Sequence, residues 1–99
     1  MKYLTSQAPA SATATTASVK LIDAATAFQT RCVVLANTHA SSAVYLAFGE
    51  HAAVVQKGIR ISAGESIFID EDNGMYNSRE QINFIGASGG EVVAIQVAN

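Results

Sequence analysis

Short apolar runs separated by clusters of turn-forming residues occupy the chain from Ser18 onward, and this spacing constrains the fold more than any other feature. No stretch of about ten residues has the apolar spacing of an amphipathic helix. Short strands at such regular spacing are typical of sandwiches and barrels. We therefore predict an all-β fold, a small antiparallel β-sandwich or jelly-roll-like barrel of about seven short strands. The predicted strands are Val19–Asp23, Arg31–Asn37, Val44–Phe48, Ile59–Ser62, Ser66–Asp70, Gln81–Ala87 and Glu91–Val97.

The segments between these runs carry specific turn predictions. Ala63-Gly64-Glu65 predicts a tight turn, and Ser88-Gly89-Gly90 predicts a hairpin that pairs the last two strands. The segment His51–Lys57 fits a loop, a short strand or a helical turn, and Ala24–Gln29 is the one stretch that could form a helical turn.

The N-terminal segment differs in composition from the rest of the chain. Thr5–Ser18 contains no charged residue and no large apolar side chain, so it cannot bury enough area to offset the entropy of ordering it. We predict an extended N-terminal arm over residues 1–18 and a β-sandwich domain over 19–99. Fully extended, the uncharged segment Thr5–Ser18 alone could span about 45 Å at about 3.3 Å per residue and lie along another protein. Deletion of Met1–Ala17 is then expected to leave the domain folded and to weaken assembly.

Low charge is the unusual compositional feature. Only 14% of the 99 residues are charged and the net charge is −2, whereas an ordinary soluble domain has about 25% charged residues. A strand with one solvent-exposed face should alternate apolar and polar residues. Several predicted strands are instead apolar on both faces, as in the run from Cys32 to Ala36. A neutral soluble domain would account for this composition, but we favour burial of part of the surface against neighbours in a homo-oligomer.

Several classes of partner are disfavoured. The six basic residues are scattered and form no stripe that could neutralise phosphates, so we predict no nucleic-acid partner. The longest strongly apolar run, Cys32–Ala36, is far shorter than the roughly 20 residues of a membrane span. The N-terminus lacks the apolar stretch of an export signal, and Cys32 is the only cysteine, so no internal disulfide forms.

No motif for catalysis or for a cofactor is present. His39 and His51 have no further ligand at zinc-binding spacing, and the acidic run Asp70–Gly74 does not match a calcium-binding EF-hand loop. There is no Gly-x-Ser-x-Gly elbow and no phosphate-binding loop. We therefore predict a protein that is not an enzyme and that has no cofactor and no metal.

Three segments in order resemble a known group of proteins. They are Val44–Gly49, Gly58–Glu65 and Ile82–Val92, and together they are similar to small β-sandwich virion proteins of tailed bacteriophages. Such proteins serve as head decoration (cement) proteins or as tail and fibre components. The stretch Gly58–Glu65 also resembles cupins, whose metal-binding histidines are missing here.

The phage resemblance implies a structural role in many copies. We expect a capsid decoration protein that stabilises the head lattice, made in the host cytoplasm and located on the capsid surface of the virion. Its expected partners are further copies of itself, for example in a trimer, and the major capsid protein or other virion proteins. The residues predicted as assembly contacts are Ala8, Pro9, Ala12, Thr15, Tyr45, Phe68 and Tyr76. The alternative is a tail or fibre component that binds a carbohydrate or receptor, with Tyr76 as the stacking platform.

Overall fold

The computed structural model describes residues 7–23, 27, 31–70 and 80–98, and these residues form eight strands in two sheets. Each strand is short because turn-forming residues follow it closely. The strands are β1 (Ala10–Thr13), β2 (Val19–Ile22), β3 (Cys32–Asn37), β4 (Val44–Phe48), β5 (Ile59–Ile61), β6 (Ser66–Asp70), β7 (Ile82–Gly86) and β8 (Val92–Ala98).

The two sheets have the strand order of a jelly roll. Sheet A has the order β1-β8-β3-β6 and sheet B the order β2-β7-β4-β5, with antiparallel pairing throughout. Consecutive strands change sheet at every connection except the one between β4 and β5, which pair directly. The predicted all-β sandwich is therefore confirmed, and its order is that of the double-sheet jelly roll.

The core lies between the sheets and follows the two-residue period of the strands. In β3, Val33 and Leu35 are fully buried while Val34 between them is exposed. Phe84 of β7 and Leu46 of β4 are register partners in sheet B and bring two large side chains together in the core. The inward positions that complete the cluster include Ile22, Val44, Ile61, Ile69, Ile82 and Val93.

The N-terminal segment departs from the prediction of a separate arm. Residues 10–13 form β1, which pairs with β8 from Ala10↔Ile95 to Thr13↔Val92. Ala12 packs against the core, and Ala14 is only 1% exposed within it. The small side chains of this segment bury little area, but backbone hydrogen bonds to the β8 edge and close packing of two of these side chains hold it in place. The sandwich therefore includes residues before the expected boundary at residue 18.

The hairpin predicted at Ser88-Gly89-Gly90 is wrong. β7 belongs to sheet B and β8 to sheet A, so the connection crosses between the sheets and the two strands do not pair. Gly89 and Gly90 both have positive φ (83° and 87°), and the Gly90 amide donates to the Ala14 carbonyl. Glycine identifies a change of chain direction but does not specify which strand is the neighbour afterwards.

Some of the other local predictions concern described residues, and some lie outside them. The tight turn at Ala63-Gly64-Glu65 is confirmed, since the Glu65 amide donates to the Ser62 carbonyl over 3.0 Å. The ambiguous segment His51–Lys57 is a loop with a turn. Within the proposed helical stretch, the Ala27 amide donates to the Asp23 carbonyl, as in a helical turn. Tyr76 and all of the acidic run except Asp70 lie outside the described residues.

Candidate functional site

The outer face of sheet B is covered by the chain itself. Tyr45, Ile85 and Ala43 point away from the main core, yet they form a second buried cluster with Ala53 of the β4–β5 connection, residues 49–58. The Asn83 side chain of β7 fixes the connection to the sheet, because its Nδ2 donates to the carbonyl of His51 over 2.6 Å. The apolar character of both faces of β4 and β7 is thus satisfied within one copy.

The Ser18 hydroxyl oxygen holds the same connection from the side. It accepts the Ala53 amide proton over 2.8 Å. The residue expected as the end of a separate arm therefore anchors the cover of sheet B.

The outer face of sheet A has no such cover among the described residues. Phe68 of β6 is 58% exposed, Val34 of β3 is 41% exposed, and Val92 of β8 is exposed as well. Ala36 and Ala94 are register partners between them. Of the outward residues on these four strands only Asp70, at one end of β6, is charged. We call this surface the sheet A face; it is the candidate interaction surface of the molecule.

Two hollows lie on the sheet A face. One, of about 170 Å³, is lined by Pro9, Val34, Ala36, Ala94, Ile95 and Gln96. The second, of about 120 Å³, is lined by Cys32, Val34, Gln96, Val97 and Ala98. They exist because alanine and proline stand where longer side chains would fill the space between the strands.

The structure places the predicted contact residues in different environments. Phe68, Ala8 and Pro9 are exposed, and Phe68 and Pro9 lie at the sheet A face. Thr15 is also exposed, but its hydroxyl donates to the Ala17 carbonyl over 3.0 Å in a local turn.

Two of the predicted contact residues instead pack within the chain, Tyr45 fully and Ala12 in part. Ala12 faces the core, and Tyr45 is 8% exposed in the cluster that includes Ala53 of the β4–β5 connection. Val34, Ala36, Ala94 and Gln96 also lie on the sheet A face, although they are not among the predicted contact residues. The double-sided apolar character of β3 and β8 was the signal, but the strand order was needed to join them.

A buried carboxylate at one end of the sandwich was also missed. Glu91 is 0% exposed, and its Oε2 accepts the Ser42 hydroxyl proton over 2.5 Å and the Ser88 amide proton over 2.9 Å. Because the Ser42 proton is used in this bond, the Ser88 hydroxyl donates to Ser42 Oγ, 3.2 Å away. Glu91 thus joins the β3–β4 and β7–β8 connections.

The same carboxylate is packed tightly against Gly86. The buried Oε1 has no hydrogen-bond partner among the described residues, and any Cβ at position 86 would overlap it. Burial raises the pKa of Glu91, but the hydrogen bonds from Ser42 and from the Ser88 and Glu91 backbone outweigh it and leave the pKa lowered. The carboxylate is therefore held ionised.

The neighbouring histidine does not complete a hydrolytic triad. His39 Nδ1 accepts amide protons from Ser41 and Ser42, so it carries no proton to donate to the Glu91 carboxylate as the histidine of a triad donates to its acid. The Ser42 hydroxyl is bonded directly to the carboxylate. Asn37, fully buried, reinforces the same end by donating to the Ser42 and Ile61 carbonyls. These contacts fix loops in place.

The single cysteine borders the smaller hollow and has low intrinsic reactivity. Burial raises the pKa of the Cys32 thiol, the charge of Asp70 raises it further, and a backbone hydrogen bond with Ala98 lowers it in part. A thiol with a raised pKa is largely protonated at neutral pH and is a poor nucleophile.

Neither a metal centre nor a membrane-spanning helix is found in the described part of the chain. No group of three or more His, Cys, Asp or Glu side chains could hold an ion there. Over those same ranges, no helix has the length and apolarity needed to cross a bilayer.

Comparison with known proteins gives no further assignment. No protein-family model matches the sequence, and no curated protein matches it either.

Proposed function

We propose that this protein is a structural component of a bacteriophage virion, acting as a capsid decoration protein that is held on the head through weak contacts made in many copies. The observation that carries the proposal is the sheet A face, on which Phe68 and Val34 are exposed among alanines with Asp70 as the only charged outward residue of the strands. Exposed apolar patches rimmed by polar residues mark sites of protein association.

The contrast between the two sheets supports this role. The outer face of sheet B is covered by residues 49–58 of the same chain, which accounts for its apolar residues without a partner. Sheet A has the same two-sided apolar character with no cover among the described residues, and association with another molecule would bury it.

The fold is compatible with the proposal but does not carry it. Double-sheet jelly rolls include viral capsid domains, lectin domains and cupins, so the architecture alone does not select among these functions. The low charge of the chain adds support, since a net charge of −2 gives little repulsion between closely spaced copies.

The experiment is quantitative mass spectrometry of purified particles of the phage that encodes the chain. We expect the protein in the particles at a copy number close to that of the major capsid protein, and immunogold labelling over the head. A copy number of a few per particle with label on the tail would favour a tail or fibre role. Absence of the protein from the particles would overturn the proposal.

A further inference from the structure

We infer that the occupant of the sheet A face is a second copy of this chain, which docks face to face so that Phe68 of each copy enters the larger hollow of the other. The inference rests on the proposed structural role and names its first partner. It follows from three properties of the face: its register, the size of the hollow and the distribution of charge.

The register aligns the protruding side chain with the hollow. Val34 is the partner of Phe68 on one side and of Gln96 on the other, so these three residues form one row across the sheet. Ala10 pairs with Ile95, which places Pro9 beside Gln96 at the end of that row. Phe68 thus lies at one edge of the row, and the hollow lies toward the opposite edge, beside Gln96 and Pro9.

A two-fold axis parallel to the strands connects these two features. Rotation about such an axis, between two facing sheets, exchanges the sheet edges and keeps each row at its own level. It places β6 of one copy over the β1 edge of the other, so that Phe68 lies above the hollow next to Pro9 and Gln96. The contact is isologous, since each copy supplies one phenyl group and one hollow.

The size of the hollow suits a phenyl group. Its volume is about 170 Å³, and an apolar cavity of about 150 Å³ accommodates benzene. The lining residues are apolar except Gln96, whose Nε2 donates to the Gln7 carbonyl over 3.2 Å. The phenyl group therefore meets aliphatic surface without leaving a charged group buried.

The charge distribution favours a copy over a charged partner. The outward residues of the four strands carry a single charge, Asp70 at the end of β6, so the face offers nothing that would select a basic or acidic surface. The axis that brings Phe68 to the hollow also sends the two Asp70 side chains to opposite edges, where they do not repel each other.

The expected association is weak. Four strands at about 4.8 Å and five residues at about 3.4 Å give a face of roughly 19 by 17 Å, about 320 Å² in projection. This is below the roughly 800 Å² per partner of a standard interface. Dimers should therefore form only at high protein concentration in solution, and the many copies on a particle would supply that concentration locally.

The first test is sedimentation equilibrium from micromolar to millimolar concentration. We expect a monomer–dimer equilibrium for the native chain and at least a tenfold larger dissociation constant for Phe68→Asp. The matched control is Val54→Asp, at a position that is 47% exposed in the β4–β5 connection, and it should dimerise like the native chain. Circular dichroism and the urea midpoint establish that both variants remain folded.

The second test locates the contact independently of the loss of association. Phe68→Cys and Gln96→Cys are made on separate chains in a Cys32→Ser background, distinguished by tag size, mixed and treated with a short bismaleimide. We expect a crosslink in the mixture and none for Phe68→Cys alone, because the two copies of position 68 lie at opposite edges of the dimer.

The outcomes separate this inference from the proposed function. A native chain that stays monomeric at millimolar concentration, or a dimer that Phe68→Asp does not weaken, overturns the face-to-face pair even when the protein is found in virions. A dimer that forms as expected while particles lack the protein leaves this inference standing and removes the virion role.

Discussion

Glu91 and Gly86 show how one glycine and one carboxylate depend on each other. Glu91 is fully buried at the start of β8, and its Oε1 occupies the space that a side chain at position 86 would need. Gly86 is not among the glycines with positive φ. Glycine is therefore required at this position for the space it leaves and not for its backbone conformation. The absence of a side chain at the end of β7 therefore allows the carboxylate to reach Ser42 and Ser88.

We predict that Gly86→Ala lowers the free energy of unfolding by about 2–3 kcal/mol, because the added methyl group displaces a buried, hydrogen-bonded carboxylate. Urea denaturation measures the change. The double variant with Glu91→Ala should be less destabilised than the sum of the two single variants, since removal of the carboxylate creates room for the methyl group. Strictly additive losses would show that the two residues do not interact.

Glu91 should also contribute to the acid sensitivity of the fold. Its pKa is lower in the folded chain than in the unfolded one, so its contribution to stability is complete above the ordinary glutamate value of about 4.3 and is lost as the pH falls through the lower folded value. We predict that Glu91→Gln reduces the loss of stability between pH 5 and about 3. Thermal unfolding measured by circular dichroism across that range tests this. Parallel pH curves for the native chain and the variant would contradict it.

At the scale of elements, β1 and the β4–β5 connection are the parts that pattern analysis described least well. Both carry small or weakly patterned residues, and backbone groups of each bond to residues that are distant in the sequence. β1 pairs with β8, and the connection is bonded to Asn83 and Ser18. Long-range backbone bonds leave no periodic signal in the sequence, so neither element is evident before the strand order is known.

A pair of adjacent substitutions tests whether β1 is part of the sandwich. Ala12 faces the core and Ser11 faces outward, since their register partners are Val93 and Ala94 respectively. We predict that Ala12→Asp lowers the free energy of unfolding by about 1–3 kcal/mol because it places a partly desolvated carboxylate against the apolar core, and that Ser11→Asp changes it by less than about 0.5 kcal/mol. Urea denaturation at low micromolar concentration, where the chain is monomeric, is the measurement. Equal small effects would indicate an arm that does not pack on the core.

At the scale of the whole molecule, the two sheets have unequal outer faces. One is covered by the chain's own connection, and the other presents Phe68 and Val34 beside two hollows. A small jelly roll whose described residues leave one outer face exposed is suited to association through that face. The core, by contrast, is completed within one copy, so folding and association are separate events.

The dependence of association on salt follows from the character of the sheet A face. We predict that the dissociation constant of the dimer changes by less than about twofold between 50 and 500 mM NaCl, because a contact with almost no charge has little to screen. Ammonium sulfate should strengthen the association, since it favours burial of apolar surface. Sedimentation equilibrium across both salts is the measurement. A steep weakening in NaCl would indicate an ionic contact and contradict the assignment.

Much of the fold could be predicted from local pattern. The seven predicted strands correspond to β2–β8 within one or two residues at each end, because apolar runs and turn formers mark strand limits directly. The candidate surface was predicted only in part. Phe68 and Pro9 lie at the sheet A face, whereas Tyr45 is buried and Ala12 is partly buried, since a doubled apolar pattern gives no information about what covers the second face.

The sequence by itself determined that the chain is all-β, where β2–β8 begin and end, and that its surface would be poor in charge. These are properties of composition and of a period of two residues, which are local. Only the tertiary structure decided that β7 and β8 separate into different sheets, that residues 10–13 complete sheet A, and that Glu91 is enclosed by the loops of Ser42 and Ser88. Each depends on which distant backbone groups become neighbours, and the same local pattern is compatible with several strand orders.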